Sequence, residues 1–342
     1  MKKILIVAPA WVGDMVMAQT LFKVLKAQDP LAELHILAPA WTAAVAQKMP
    51  EIALAHVLPL GHGVLALKER WRIGRQLRVQ HYDEAIVLPN SWKSALIPWV
   101  AGIPIRRGFR GEMRFGLLND SRVLNKAKYP LMIERFMSLA FAKNTVLSKP
   151  YPHPRLVGDA ANAAHLKQQL GLTTDKPIVA LCPGAEYGPA KRWPTEYYGA
   201  LAQRLHDLGY TVWLMGSKKD ESLAEDILKV AKESCHNLCG RTDLNQAVDL
   251  LSTVHAVVSN DSGLMHIAAA LDKPLVAIYG SSSTAFTPPL SDTVEIVQLS
   301  LPCSPCFKRE CPLGHLNCLK QITPERVLAS LQKLVGFTQV TR

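Results

Sequence analysis

From Lys3 to Leu88 the chain alternates β-rich apolar runs with runs spaced like helices, and from Ile178 to Tyr279 it does so again. In the first series Lys3–Pro9, Glu33–Leu37 and Glu84–Leu88 read as strands, and Met15–Ala27, Ala40–Lys48 and Trp71–Val79 as helices. In the second, strands Ile178–Cys182, Thr211–Met215, Ala256–Ser259 and Leu275–Tyr279 are interleaved with helices Pro194–Leu208, Lys219–Cys235, Leu244–Thr253 and Gly263–Leu271. A strand reached through a helix lies parallel to its predecessor, so each series predicts an α/β domain: a doubly wound, Rossmann-like parallel sheet with helices on both faces. A length of 342 residues suits two such domains. Three prolines between Ser148 and Leu156 mark the connection, giving domains 1–157 and 158–342, with a last helix at about 324–336 that could return to the first domain. Two domains of this kind are expected to face each other across a cleft at the C-terminal ends of their strands, where such sheets bind ligands.

Charge separates the halves. Residues 1–150 hold 21 basic and 10 acidic side chains, whereas residues 151–342 hold 18 of each, so the net +11 lies wholly in the first half. That half should attract an anion: a phosphorylated substrate, an acidic membrane surface or nucleic acid. No run of about 18 apolar residues exists to form a spanning helix. Lys2 and Lys3 followed by Ile4–Val12 resemble a short export signal, but Gly13-Asp14 interrupts the run, which favours a buried first strand. Without such a signal, an odd count of seven cysteines does not read as a secreted disulfide framework.

Three strand ends carry residues suited to chemistry. After the first strand, Gly13-Asp14 opens a helix, and Asp14 there is either a helix cap or a general base for a hydroxyl. After Cys182, the loop Pro183–Pro194 contains Gly184, Gly188, Lys191 and Arg192 just before a helix. Two cations beside unpaired helix N–H groups make a phosphate site, the alternative being a solvated basic turn. After Ser259, Asn260-Asp261-Ser262-Gly263 opens another helix whose N–H groups could receive a diphosphate, and His266 follows one turn later as a packed or a functional residue. The cluster Arg106, Arg107, Arg110 and Arg114 is either a solvated run or an anion clamp, with Asn90 and Lys93 near it in sequence. Trp92 and Trp99 flank the adjoining apolar stretch, a pattern suited to an anionic membrane face. No nucleic-acid-binding motif accompanies the basic residues, so no nucleic-acid partner is expected.

Several of these stretches together resemble the heptosyltransferases of glycosyltransferase family 9: Trp11–Met15, Pro59–Gly63, Leu88–Ser91, Lys93–Leu96, Gly108–Arg114, Cys182–Pro194 and Asn260–His266. The resemblance covers nearly the whole chain and implies the GT-B fold. It implies an inverting transfer of L-glycero-D-manno-heptose from ADP-L-glycero-β-D-manno-heptose to the first heptose of the lipopolysaccharide inner core, heptosyl-Kdo2-lipid A. Asp14 would be the base and Lys191 the catalytic cation. Gly184, Lys191, Arg192, Asp220 or Glu221, Asn260, Asp261, Ser262, Gly263 and His266 would hold the donor. Gly13, Asn90, Lys93, Arg106, Arg107, Arg110 and Arg114 would hold the acceptor. The enzyme would work at the cytoplasmic face of the inner membrane. No Asp-x-Asp pair is present, so no bound catalytic metal is expected, although magnesium could stimulate.

Cys303, Cys306, Cys311 and Cys318 crowd the C-terminal part, with His315 among them. They read as a structural zinc site, a disulfide-stapled loop or reduced thiols. Rival functions are a family member with another acceptor, a sugar epimerase, and a non-catalytic sugar-binding protein. The last would carry an export signal and lack the cationic loop.

Overall fold

The computed structural model describes residues 1–61, 63–172 and 175–336; His62, within the Pro59–Gly63 motif, lies outside them, as do 173–174 and 337–342. Backbone contacts divide the chain into two compact units, Met1–Pro154 and Arg155–Arg342.

In the first unit the elements run β1 (Lys3–Val7), α1 (Val12–Gln28), β2 (Glu33–Ala38), α2 (Ala40–Ala46), β3 (Ile52–Val57), α3 (Leu67–Leu77), β4 (Glu84–Val87), α4 (Trp92–Val100), β5 (Ile105–Phe109), β6 (Asp120–Arg122) and α5 (Met132–Ser138). All six strands are parallel, in the order β3-β2-β1-β4-β5-β6. Ile4, Leu5, Ile6 and Val7 of β1 are buried, as a central strand covered on both faces requires. The chain winds outward from β1 to β3, then restarts beside β1 at β4 and winds the other way. The loops leaving β1 and β4 therefore diverge at the strand ends and open a crevice there, the usual ligand position in such sheets.

The second unit repeats the scheme with α6 (Ala160–Leu170), β7 (Ile178–Cys182), α7 (Thr195–Asp207), β8 (Thr211–Leu214), α8 (Glu221–Ala231), β9 (His236–Asn237), α9 (Leu244–Ser252), β10 (Ala256–Asn260), α10 (Gly263–Ala270), β11 (Leu275–Tyr279), β12 (Val294–Gln298), α11 (Asn317–Lys320) and α12 (Pro324–Val335). Its parallel sheet has the order β12-β11-β10-β7-β8-β9, so its winding reverses between β7 and β10. The core joins Val179, Leu181, Trp193, Tyr198, Val258 and Ile278. Val327 and Leu331 of α12 are buried in that same core, where the helix packs on α7 and on β10 to β12. The apolar stripe of α12 is thus satisfied by its own sheet. No described helix is long and apolar enough to cross a membrane.

Candidate functional site

In the second unit, the loops leaving β7 and β10 flank the point where the winding reverses, and each delivers one charge. Lys191 Nζ lies 2.5 Å from Asp261 Oδ2, with both side chains largely buried. Lys191 ends a short 3-10 turn, Pro189–Lys191. Asp261 follows β10 directly, and its backbone N–H donates to Ile278 O at 3.1 Å. Ser262 caps α10, its Oγ accepting from Met265 N at 3.4 Å, so Gly263 begins a helix with its free N–H groups at this loop. His266 is buried one turn on, and burial pushes its pKa down to about 4, which keeps the ring neutral.

Asn260 has a different task. Its Oδ1 accepts from Trp193 N (3.0 Å) and Tyr198 Oη (3.1 Å), and its Nδ2 donates to Pro183 O (2.6 Å). With its amide engaged and fully buried, Asn260 clamps the β7 loop to the end of β10. It positions Lys191 and Asp261, and the side chain is not presented to a ligand. Arg192 donates an Nη to Ala185 O at 3.3 Å, while its Nε is buried without a partner.

The two acids at the start of α8 also separate. Asp220 is buried and accepts from Ser217 N (2.9 Å) and Ser217 Oγ (2.8 Å). A Cβ on Gly184 would lie 2.6 Å from Asp220 Oδ1, so only glycine allows this approach. Glu221 is exposed. Asp220 closes the loop from within, and Glu221 is the carboxylate that solvent reaches.

In the first unit, Asp14 and Gly13 lie in the first turn of α1, at the end of β1. The cap position is Trp11, so Asp14 is not the helix cap that the sequence allowed. Trp41 Nε1 donates to Ala10 O at 2.8 Å and braces the same loop. Asn90 and Lys93 follow β4, on the other side of the winding reversal. Asn90 is exposed, and Lys93 Nζ donates to Gly63 O at 2.7 Å.

The arginine cluster is mostly architecture. Arg106 donates to Leu117 O (2.7 Å) and Ile103 O (2.6 Å). Arg107 pairs with Asp120 at 2.7 Å and Glu84 at 3.0 Å and donates to Leu139 O. Arg114, 3% exposed, donates to Pro89 O at 2.7 Å and to Phe109 O. These three guanidiniums satisfy carbonyls and carboxylates around β5 and β6, which corrects their reading as an acceptor clamp. Arg110 is the one of the four whose side chain is exposed.

Among the described residues all seven cysteines are free, and no three His, Cys, Asp or Glu side chains are arranged to hold a metal. The Cys311 sulfur is turned to the backbone N–H groups of 313–316, which hold its pKa below the usual thiol value, while burial raises that of Cys318. Cys303, Cys306 and Cys311 also lie near enough to Cys318 to raise its pKa further, so the four thiols form one unbridged cluster.

Residues 70–317 match glycosyltransferase family 9 (heptosyltransferase). The chain belongs to this family. It is 46% identical to lipopolysaccharide heptosyltransferase 2 of Escherichia coli K12, over 97% of this chain and 98% of that protein. It is 47% identical to lipopolysaccharide heptosyltransferase 2 of Salmonella typhimurium, over 98% and 99%. The solved structure of E. coli ADP-heptose lps heptosyltransferase II superposes with a TM-score of 0.88 at 44% identity, covering 98% of this chain and 99% of that one. The family 9 chain is thus a glycosyltransferase of the GT-B fold, a heptosyltransferase of lipopolysaccharide biosynthesis.

Sequence reading missed two features of this family 9 enzyme: Arg309, and Trp71 as the partner of Trp99. Arg309 approaches the Lys191 loop from the cysteine segment. Trp71 and Trp99, on α3 and α4, stack edge-on at 6.1 Å between centroids, and both are nearly half exposed. Lys68, Arg72 and Arg75 lie on α3 with Trp71. The helical spacing of Trp71 with the basic residues was the available signal for the second feature; the first had none.

Proposed function

We propose that this enzyme moves L-glycero-D-manno-heptose from ADP-L-glycero-β-D-manno-heptose to the first heptose of heptosyl-Kdo2-lipid A, with inversion at the anomeric carbon. The observation that carries the donor half is the Lys191–Asp261 pair, set between two loops at the winding reversal and beside the N-terminus of α10. An ammonium and oriented N–H groups there oppose the charge that grows on a departing diphosphate. Glu221 is the acid assigned to the ribose. Buried and neutral, His266 adds no second positive charge near Asp261.

Asp14 supplies the other half. Its carboxylate, in the first turn of α1, takes the proton of the acceptor hydroxyl as that oxygen attacks the anomeric carbon. Gly13 lets the acceptor approach this turn, and Asn90, Lys93 and Arg110 are the acceptor-side groups that remain from the sequence expectation. A Kdo-bearing acceptor is polyanionic, which fits a first unit that holds the whole net charge of +11. The reaction so drawn uses no resident catalytic metal.

The acceptor's lipid A keeps it at a membrane, and the Trp71–Trp99 pair with Lys68, Arg72 and Arg75 is the surface we assign to peripheral contact with the inner membrane at its cytoplasmic face. The deciding experiment is a mass-spectrometric assay of ADP-heptose with heptosyl-Kdo2-lipid A and, separately, with Kdo2-lipid A. Heptose added only to the first acceptor supports the reading. Transfer only to the second gives the enzyme another acceptor, and free heptose from either overturns transfer.

A further inference from the structure

Residues 301–316 hold three of the clustered cysteines and, apart from the approach of Arg309, have no part in the site as described so far. Their backbone is nevertheless tied to it. Ala190 N donates to Arg309 O at 2.9 Å, and Tyr187 Oη to Phe307 O at 2.7 Å. Phe307 N donates to Ser281 O at 2.7 Å, and Ser304 Oγ to Gly280 O at 2.7 Å, which anchors the segment to the loop after β11. A Cβ on Gly188, whose φ is 156°, would lie 2.5 Å from Arg309 O. Glycine at 188 is what lets the segment lie against the Lys191 loop.

This packing has an electrostatic result. The Tyr187 ring carries two cations: Lys191 Nζ at 5.1 Å and the Arg309 guanidinium carbon at 5.4 Å from its centroid. Lys191 is already matched by Asp261, and Arg192 is turned to a carbonyl of its own loop. A multiply anionic diphosphate arriving there meets a pair that is neutral overall. Arg309 is exposed, and no carboxylate pairs with it among the described residues.

We propose that Arg309 is a second cation for the diphosphate of the donor, held beside Lys191 by the Tyr187 ring, and that it stabilises ADP as it leaves. The inference rests on the donor reading above. In the step it serves, the acceptor oxygen forms a bond to the anomeric carbon and gives its proton to Asp14. The bond from that carbon to the β-phosphate oxygen breaks, and its electron pair stays on ADP. The guanidinium meets that charge with paired N–H donors, which a lysine can replace only in part.

The test is calorimetric titration of ADP into the wild type, Arg309→Ala and Arg309→Lys, with kcat and the thermal midpoint of each. The alanine variant should bind ADP about tenfold more weakly and lose kcat by a similar factor at an unchanged midpoint, with lysine restoring part of both. Wild-type ADP affinity in Arg309→Ala overturns the proposal. So does a loss that follows a lowered midpoint and is not restored by lysine, because that marks a packing role. If the wild type itself does not bind ADP, the donor reading fails first.

Discussion

Lys191 and Asp261 meet at 2.5 Å although seventy positions separate them, because β7 and β10 are neighbours in the sheet and both loops leave from the same edge. Breaking this pair leaves a largely buried charge. Lys191→Ala should therefore destabilise the fold by about 3 kcal/mol, and it should weaken ADP binding and lower kcat together. Urea unfolding and ADP titration check both parts. A variant as stable as the wild type, with normal ADP affinity, would show that the pair is incidental to both.

Asp14 is predicted to act on the chemical step. Asp14→Asn keeps the shape of the side chain and removes the base, so kcat should fall by roughly 10²–10⁴-fold, while ADP affinity and the circular dichroism spectrum stay as they are. Near-normal turnover in a folded variant would exclude it as the base.

The arginine cluster should divide by experiment as it does in space. Arg107→Ala leaves Glu84, which is 1% exposed, with Lys2 as its remaining cation at 2.6 Å and removes the pair with Asp120, and should cost about 1–3 kcal/mol of stability. Arg110→Ala should leave the thermal midpoint alone and raise the acceptor KM, more so at low salt, where exposed charges act furthest. The reverse pattern would return the clamp to Arg107.

His266 predicts a pH dependence. Its folded pKa is about 4, against an ordinary value of 6.5. Above pH 6.5 the ring is neutral in both states, and its contribution to stability is complete. As the pH falls from there towards 4, the unfolded chain takes up a proton that the folded protein refuses. Stability should then drop by up to about 1.4 kcal/mol per pH unit from this group. Denaturant unfolding of the wild type and His266→Gln across this window isolates the effect. Parallel curves for the two proteins would contradict it.

The surface of Trp71 and Trp99 should bind anionic vesicles. Trp71→Ala/Trp99→Ala should reduce sedimentation with phosphatidylglycerol vesicles several-fold, and activity on a delipidated acceptor should not change. Equal sedimentation of the double variant would remove this surface from the membrane.

The alternation of strands and helices, the two domains and the loops after β1, β7 and β10 were legible along the chain, because periodicity and strand-end glycines are local properties. Asp14, Lys191 and Asp261 could be named for the same reason: each follows its own strand. What the tertiary structure decided is which of these side chains are engaged by internal partners and which stay exposed. Arg106, Arg107 and Arg114 look alike in sequence to Arg110, yet their acceptors are mostly backbone carbonyls, which every residue has and no residue type announces. Asn260 looked like a ligand contact and is an internal clamp, because β7 lies beside β10 and brings Trp193 and Pro183 to its amide. Arg309 reaches Tyr187 across more than a hundred positions only because the segment is anchored at Gly280 and Ser281. Neighbours of that kind follow from the order of strands in a sheet, and that order is settled by how the whole chain buries its apolar faces, not by any stretch of it alone.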